Sequence, residues 1–220
     1  LGQKIGVSFD LKNRITGQLA YDVAATSQEA FEQIFFELVD ETIKEHNTLP
    51  ICVAGGCALN IVLNTKIRNR YQRPVFVGPN PNDCGLAVGM LANLVKPTTS
   101  LDVTYAGPDI LDSYRLAEFV EKYSAISYSA TELAKELVKG NIVGLVQGRS
   151  EHGPRALGNR SILCSPLIEN IKDKLNEKVK HREWYRPFAP VVRLEDLTEY
   201  FEWEDESRWM SFCPKVRKKY

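Results

Sequence analysis

The segment from Gln147 to Ser161 carries the side chains best suited to chemistry. It places Arg149, Arg155 and Arg160 among several glycines, directly after an apolar run. Arginine presents a planar, permanently charged fork that matches phosphate or carboxylate oxygens, and glycine lets a ligand come close to the backbone. A loop that only packs seldom needs so many cations among glycines. We therefore favour a site for an anionic ligand over a solvated basic loop.

A second basic segment follows at residues 180–190, where cations alternate with aromatic residues. Lys180, Arg182 and Arg186 stand beside Trp184 and Phe188. Such a patch could hold more anionic oxygens and stack a nucleotide base. The alternative is a surface turn whose aromatic rings pack inward, and the residues alone leave both interpretations open.

Two glycines, Gly55 and Gly56, connect an apolar run to a predicted helix that begins at Ala58. A helix start offers free N–H donors and the positive end of the helix dipole, which suits a nucleotide phosphate. A tight strand-to-helix turn also needs glycine. From these residues alone, the tight turn is the favoured interpretation.

Asp83 lies where a polar loop enters another predicted helix, so it is a candidate metal ligand or substrate-orienting residue. An aspartate at that place also serves as an N-cap, and spacing alone favours the cap. One carboxylate is too few for a metal site. The three histidines of the chain do not form an i, i+4 pair.

The apolar pattern predicts the elements that position these motifs. We expect helices over residues 26–46, 58–69, 86–95, 112–123, 129–140 and 168–179, and strands over 5–9, 51–54, 75–77, 142–146, 161–164 and 188–192. Capping-box spacing predicts helix starts at Thr26 and Ser129. The first part reads as α/β with parallel, buried strands, and Ile61, Val62 and Ile67 of its second helix are predicted to face inward. The second reads as α+β, with a boundary between 96 and 110.

Composition excludes several classes of protein. The 220 residues carry 28 basic and 28 acidic side chains, so the net charge is zero, which argues against binding of polyanions by bulk charge. That neutrality hides a basic stretch over residues 149–193 and an acidic run over 195–206. No run approaches the roughly 20 apolar residues of a membrane span. Five cysteines without a CxxC pair predict neither disulfides nor structural zinc, and therefore a reduced, cytoplasmic setting.

Four motifs resemble those of the nodulation- and antibiotic-type O-carbamoyltransferases. They are Ala54–Asn60 (AGGCALN), Asn82–Gly85 (NDCG), Gly148–Arg160 (GRSEHGPRALGNR) and Arg182–Pro190 (REWYRPFAP). They occur in the order of the family and cover most of the chain. The long Gly148–Arg160 motif is specific, whereas the glycine pair alone would be weak.

The resemblance implies an α/β fold of two parts. Residues 1–100 would form the C-terminal part of an actin-like ATPase-type (ribonuclease-H-like) domain. Residues 101–220 would form an incomplete α+β domain similar to threonylcarbamoyl-AMP synthase, with the junction at Gly107–Pro108. In this family the second domain makes carbamoyl-adenylate from carbamoyl phosphate and ATP. The first domain, which carries iron, moves the carbamoyl group to the hydroxyl of a small-molecule acceptor.

The resemblance also assigns residues to the adenylate-forming site. They are Arg149, His152, Arg155, Arg160, Ser161, Lys180, Arg182 and Arg186. Of these, His152, Arg155 and Arg160 are the candidate catalytic residues. Charge grows on the departing pyrophosphate oxygens, and fixed guanidinium groups stabilise it. The histidine could donate a hydrogen bond or a proton.

In the transfer part, the resemblance assigns Gly55, Gly56 and Asn60 to a nucleotide cradle and Asp83 to Fe(II) or another divalent ion. The paired metal-binding histidines of the family lie upstream of anything present here, as does the first half of its actin-like domain. We therefore expect a piece shortened at both ends, without a stable metal and without complete turnover.

Two other functions remain open at this point. The synthase-like domain has RNA-associated relatives, so the chain could be an RNA-binding or tRNA-modification module. The zero net charge and the acidic run after residue 194 count against that interpretation. A domain whose glycine–arginine segment only packs is the other alternative. The oligomeric state and the acceptor cannot be read from these residues.

Overall fold

The computed structural model describes residues 17–110 and 112–219. They belong to two compact units, one that ends at Ile51 and one that begins at Cys52. The fold is mixed α/β, with helices and two small two-stranded sheets. The predicted division into residues 1–100 and 101–220 stays a prediction. The opening segment, residues 1–16, lies outside the described residues, and so does the short strand predicted there.

The first unit is dominated by one helix, α1, which spans Gly17–Glu45. The predicted start at Thr26 is wrong, because this residue lies inside the helix. The preceding segment is rich in alanine and other good helix formers, which extend the helix backwards. Phe31 and Phe35 are half-buried as expected, but Leu38 is 76% exposed. The apolar periodicity therefore predicts the helix but not the burial of every apolar residue.

The second unit opens with strand β1 (Ile51–Cys52), a 3₁₀ turn (Gly56–Leu59), helix α2 (Ile61–Tyr71) and strand β2 (Val75–Phe76). Strands β1 and β2 form one of the two-stranded sheets.

Helix α2 carries the core of this region. Leu63 and Ile67 are fully buried on it, whereas Val62, predicted to face inward, is exposed. The strands predicted as buried are also partly exposed, at Cys52 and at Phe76. A two-stranded sheet is too narrow to cover both faces of its own strands.

Helix α3 spans Leu86–Val95, the bounds predicted from sequence, and follows a 3₁₀ turn at Asp83–Gly85. A second 3₁₀ turn (Ser113–Arg115) leads into helix α4 (Leu116–Lys122), and helix α5 spans Ala130–Val138. None of the helices described is long and apolar enough to cross a bilayer.

The capping box predicted at the start of α5 is confirmed. The Ser129 hydroxyl accepts the Glu132 N–H, and the Glu132 carboxylate accepts the Ser129 N–H. Gly140 follows the helix with φ of 95°, a left-handed conformation that glycine adopts without a steric penalty.

Strands β3 (Val143–Val146) and β4 (Arg160–Leu163) form an antiparallel pair, with Val146 opposite Arg160. The connection between them, residues 147–159, contains most of the arginine- and glycine-rich motif. A site on this connection is therefore held at both ends by one hairpin.

A helical turn, α6 (Ile171–Lys174), continues into a π-helical turn (Leu175–Val179). A last 3₁₀ turn (Leu194–Asp196) precedes α7 (Leu197–Tyr200). The strand predicted over 188–192 is wrong, because this stretch has no regular structure. Pro187 precedes this stretch and Pro190 lies within it, and neither residue has the backbone N–H that a strand would need.

Candidate anion-binding site

The segment of residues 147–160, here called the glycine–arginine loop, pairs with residues 104–108 of the predicted boundary. Gly107 N donates to Ser150 O at 3.0 Å, and Ser150 N donates to Pro108 O at 2.9 Å. His152 N donates to Thr104 O at 2.8 Å. A Cβ atom at Gly107 would collide with Ser150, so glycine is required for this approach.

The same loop also contacts the polar turn at residues 78–82. The side-chain amide of Asn80 lies 3.1 Å from His152 Nε2. Gly153 has φ of 145°, and a Cβ atom there would lie 2.5 Å from Pro79 O. The turn also contacts the first glycine motif, since Gly55 N donates to Pro81 O at 2.8 Å. The turn that precedes the Asn82–Gly85 motif therefore contacts both the glycine–arginine loop and the first glycine motif.

Glu151 organises the glycine–arginine loop from inside. One of its carboxylate oxygens accepts N–H groups of Leu157 at 2.7 Å, Asn159 at 2.8 Å and Arg160 at 3.3 Å. Partial burial raises the pKa of this carboxyl, but the backbone hydrogen bonds outweigh burial, so its pKa lies below the ordinary value. The backbone donors that could have cradled a phosphate are thus filled by the loop's own acid.

Two of the three loop arginines bind backbone carbonyls. Arg149 donates to Gly107 O at 2.9 Å and to Ala106 O at 3.0 Å. Arg160 donates to the carbonyls of Gln147, Gly148 and Asn159 at 2.9, 3.1 and 2.8 Å. These contacts hold the loop in shape, and each guanidinium group keeps further N–H donors, since Arg149 uses Nε and Nη2 and Arg160 uses Nη1 alone.

Arg155 differs from both. It is half-buried, and its one hydrogen-bond contact in the described structure is a long one, 3.5 Å from Nη2 to Leu59 O. Its side chain lines a small pocket together with Ala58, Leu59, Ile61, Val77, Gly78, Pro79, Pro81, Trp209, Met210 and Ser211. The pocket has room for little more than one oxygen-sized group, and the half-buried guanidinium group beside it can hold an oxyanion by charge-assisted hydrogen bonds.

Trp209, which the sequence analysis did not single out, forms another wall of the pocket. Its indole N–H donates to Thr104 Oγ1 at 2.9 Å, and its ring meets Phe76 edge to face at 5.5 Å. The contact to Thr104 places Trp209 beside the segment that holds the glycine–arginine loop. Nothing in the local sequence around Trp209 marks it as a pocket residue.

The remaining loop residues have defined partners. Ser161 Oγ accepts the N–H of Gly158 at 2.9 Å, a contact that stabilises the end of the loop. The side-chain amide of Asn80 and His152 Nε2 share a hydrogen bond, which orients the imidazole ring beside the turn at residues 78–82.

The first glycine motif adopts the tight turn favoured from sequence. Gly55 has φ of 92° and commits its N–H to Pro81. Asn60 is the N-cap of α2, where its side-chain oxygen accepts the Leu63 N–H at 3.0 Å. Gly56 opens the 3₁₀ turn, and a Cβ atom there would meet nothing within 4 Å. A Cβ atom at Gly55 would also meet nothing within 4 Å, so both predicted cradle glycines leave open space, whereas the Asn60 side chain is used as the cap.

Asp83 is exposed at the first position of its 3₁₀ turn, and Asn82 holds the N-cap position predicted for it. Across residues 17–110 and 112–219, no group of three or more histidine, cysteine, aspartate or glutamate side chains could hold a metal ion. A single exposed carboxylate does not match the ligand set of iron or another divalent ion. The described residues do not fit such a cofactor, and no chemical step is assigned to one.

The second basic segment is organised by Asn176, a buried residue of the π-helical turn. Its side-chain nitrogen donates to Trp184 O at 3.2 Å and Arg186 O at 3.0 Å, and its oxygen accepts Arg182 Nε at 2.6 Å. The Arg182 guanidinium also lies over the Phe188 ring, 4.4 Å from its centroid. The sequence analysis did not single out Asn176, because its partners at residues 182–186 are brought to it by the fold of the following segment.

The other cations of this segment are exposed. Arg186 pairs with Glu183 at 2.7 Å, and Lys180 is exposed at the end of the π-helical turn. The alternative interpretation, a surface turn whose aromatic rings pack inward, is correct for Phe188 and wrong for Trp184. The Phe188 ring is half-buried, whereas Trp184 is 57% exposed. The segment offers an aromatic face beside cations, without a contact to the pocket at Arg155 among the described residues.

Two family models match this chain. The model of the carbamoyltransferase N-terminus covers residues 4–92, and the model of the carbamoyltransferase C-terminus covers residues 134–220. The pocket at Arg155 has walls from both matched regions, since Val77 lies in the first and Trp209 in the second.

Curated relatives agree with the family models. The nodulation protein NolO of Bradyrhizobium diazoefficiens is 37% identical over 90% of the chain and 39% of that protein. NolNO of Sinorhizobium fredii is 39% identical over 90% of the chain and 31% of that protein. The 3'-hydroxymethylcephem-O-carbamoyltransferase of Streptomyces clavuligerus is 35% identical over 89% of the chain and 37% of that enzyme. The chain spans less than two fifths of the length of each.

The two models follow one another in the same order as the motifs, and relatives named for nodulation and for antibiotic carbamoylation align along the same region. The expected family is therefore confirmed, and it is a family of enzymes. The chain belongs to the carbamoyltransferase family of the nodulation and antibiotic type.

Proposed function

We propose that this chain is part of an ATP-dependent O-carbamoyltransferase that forms carbamoyl-adenylate from carbamoyl phosphate and ATP. Water first releases the phosphate of carbamoyl phosphate and leaves carbamate, whose oxygen attacks the α-phosphorus of ATP and expels pyrophosphate. The hydroxyl of a small-molecule acceptor then attacks the carbamoyl carbon and displaces AMP. Family membership and a relative named as an O-carbamoyltransferase support the carbamoyl group as the cargo. The proposal keeps the two expected parts, the actin-like ATPase-type part over 1–100 and the synthase-like part over 101–220, and a cytoplasmic setting.

The observation that carries this proposal is the placement of Arg155. It is a half-buried cation beside a small pocket whose walls come from both matched regions. A carbamoyl or phosphoryl oxygen bound there would be held by a charge-assisted hydrogen bond. Because Glu151 fills the nearby backbone donors, the guanidinium group is the donor left for the ligand.

The roles of the other assigned residues follow from their contacts. Arg149 and Arg160 shape the loop through its carbonyls, and Ser161 closes it. His152, oriented by Asn80, would donate a hydrogen bond or a proton to the ligand. Lys180, Arg182 and Arg186 belong to the second basic segment, where the exposed Trp184 ring would stack the adenine base. In the nucleotide cradle at residues 55–60, Gly55 and Gly56 both leave open space for a ligand.

The experiment measures binding and exchange with Arg155→Ala. Calorimetric titration of the chain with carbamoyl phosphate and with ATP gives affinities, and exchange of labelled pyrophosphate into ATP in the presence of carbamoyl phosphate reports adenylation. Loss of a hydrogen bond to a charged group lowers affinity about 10-fold or more. We expect Arg155→Ala to lose that much for carbamoyl phosphate and to reduce exchange.

Arg193→Ala is the matched control. The Arg193 side chain is 73% exposed and pairs with Asp196, so its removal should leave affinity and exchange unchanged. Equal values for Arg155→Ala and the native chain would contradict the role of Arg155. Absence of binding by the native chain to both ligands would contradict the proposed function.

A further inference from the structure

We propose that Glu151 is a positioning residue, whose carboxylate fixes the glycine–arginine loop so that Arg155 stands beside the pocket. The inference rests on the proposed function and deepens it, because it says how the chain's own backbone presents the ligand-binding cation. Glu151 is assigned no role by the family resemblance, and it does not itself touch the pocket lining.

Side-chain hydrogen bonds of Glu151 close the loop around Arg155. Glu151 precedes Arg155 in the chain, and its carboxylate accepts N–H groups of Leu157, Asn159 and Arg160, which follow Arg155. The backbone is therefore tied together on both sides of residues 152–156. Pro154 further limits this short stretch, because its ring fixes φ. The conformational freedom of Arg155 is thus restricted before any ligand binds.

The two neighbours of Glu151 in the chain are held by separate backbone hydrogen bonds. Backbone hydrogen bonds join Ser150 to Pro108 and His152 to Thr104, at 2.9 and 2.8 Å. Glu151 lies between these two residues, so its own position is fixed by the segment of residues 104–108. The Glu151 carboxylate therefore connects the part of the loop that is bound to residues 104–108 with the part at residues 157–160. Pre-organisation of this kind lowers the entropic cost of binding.

The charge of Glu151 could act in the opposite direction, and the structure distinguishes the two effects. A carboxylate near an anionic ligand repels it, so a purely electrostatic role predicts tighter binding when the charge is removed. Among the described residues, however, no salt bridge joins Glu151 to an arginine. Its charge is directed at backbone N–H groups. Removal of the carboxylate therefore loosens the loop and should weaken binding.

A double-mutant cycle between Glu151 and Arg155 tests the inference. Affinity for carbamoyl phosphate is measured calorimetrically in the native chain, Glu151→Ala, Arg155→Ala and the double variant. We expect a loss of about 10-fold in each single variant, and no further loss in the double variant, because interacting residues are not additive. Thermal unfolding of each variant reports whether the fold is retained.

Glu151→Gln provides the conservative rescue and remains informative if the alanine variant does not fold. Glutamine keeps an oxygen acceptor for the same N–H groups without the charge, so it should restore most of the affinity that alanine loses. Glu118→Ala, which removes an exposed carboxylate paired with Arg115, is the control and should change nothing.

The remaining outcomes distinguish failure of the positioning role from failure of the proposed function. Additive losses in the cycle, tighter binding by Glu151→Gln, or unchanged affinity in Glu151→Ala while Arg155→Ala loses binding would overturn the positioning role. These results leave the proposed function intact. Failure of the native chain to bind carbamoyl phosphate would instead contradict the proposed function itself, and with it the role of Glu151.

Discussion

Arg149, Arg160 and Arg182 each direct their guanidinium groups at main-chain carbonyls or a buried amide, and Glu151 directs its carboxylate at main-chain N–H groups. Buried or half-buried backbone groups need such partners when no regular strand or helix supplies them. Much of the charge concentrated in the two motifs therefore holds irregular loops in shape. Arg155 makes the fewest hydrogen bonds of the three loop arginines, so most of its donors remain for a ligand.

Asn176 carries a prediction at the scale of a single residue. It is 1% exposed and makes three side-chain hydrogen bonds to the second basic segment. We expect Asn176→Ala to reduce the free energy of unfolding by about 1–3 kcal/mol, because buried carbonyls and a guanidinium group lose their partners. Urea unfolding measures the change, and limited proteolysis should show earlier cleavage near residues 182–187.

Two further variants define the cause. Asn176→Asp keeps the shape but cannot donate to the Trp184 and Arg186 carbonyls, so it should destabilise at least as much as alanine. Asn69→Ala, at an exposed position of α2, should stay within about 0.5 kcal/mol of the native chain. If Asn176→Asp proved as stable as the native chain, the donor role of Asn176 would be wrong.

At the scale of elements, sequence patterns predict those segments whose ends carry local signals. The bounds of α3 and the capping box at Ser129 are found as predicted, since each depends on residues within a few positions. The strand expected at 188–192 and the start of α1 at Thr26 are wrong. A strand forms only where a partner strand lies beside it, and a local sequence does not show the partner. A capping-box pattern does not begin a helix when good helix formers precede it, because the helix then extends through the pattern.

The site is predictable in the same limited sense. The resemblance identifies the motif that contains Arg155, but the residues alone cannot show that its neighbours Arg149 and Arg160 are bound to carbonyls. Those contacts join residues about ten to forty positions apart, for example Arg149 to Gly107. Glu151 was overlooked for the same reason, because its partners are defined by the loop fold.

Two loop glycines give a matched prediction about how elements approach each other. Gly153 and Gly158 both have positive φ, 145° and 107°, so alanine strains the backbone at either position. An added Cβ atom meets Pro79 O at 2.5 Å at Gly153 and nothing within 4 Å at Gly158. Gly153→Ala should therefore lower the melting temperature more than Gly158→Ala and weaken carbamoyl phosphate binding more. Equal losses in differential scanning fluorimetry and calorimetry would show that the contact with residues 78–82 does not matter.

At the scale of the whole molecule, charge and apolar surface act together. The net charge is zero and the isoelectric point is about 7.0, so electrostatic repulsion between copies is weak at neutral pH. Helix α3 exposes Leu86, Met90 and Leu94, which are four residues apart and therefore lie on one face, at 62%, 72% and 80% exposure. Val88 and Ala92, on another face, are half-buried.

A neutral chain with such a stripe should associate with itself and bind hydrophobic dyes near pH 7. The double variant Met90→Lys, Leu94→Lys removes the stripe, and we expect it to sediment with less concentration dependence and to enhance dye fluorescence less, with an unchanged helix signal. The variant Ala87→Lys, Asn93→Lys adds the same two charges at exposed positions of α3 and keeps the stripe. If apolar contact drives association, this second variant still associates and still binds the dye. If both variants lose association equally, charge repulsion explains the behaviour and the stripe on α3 does not.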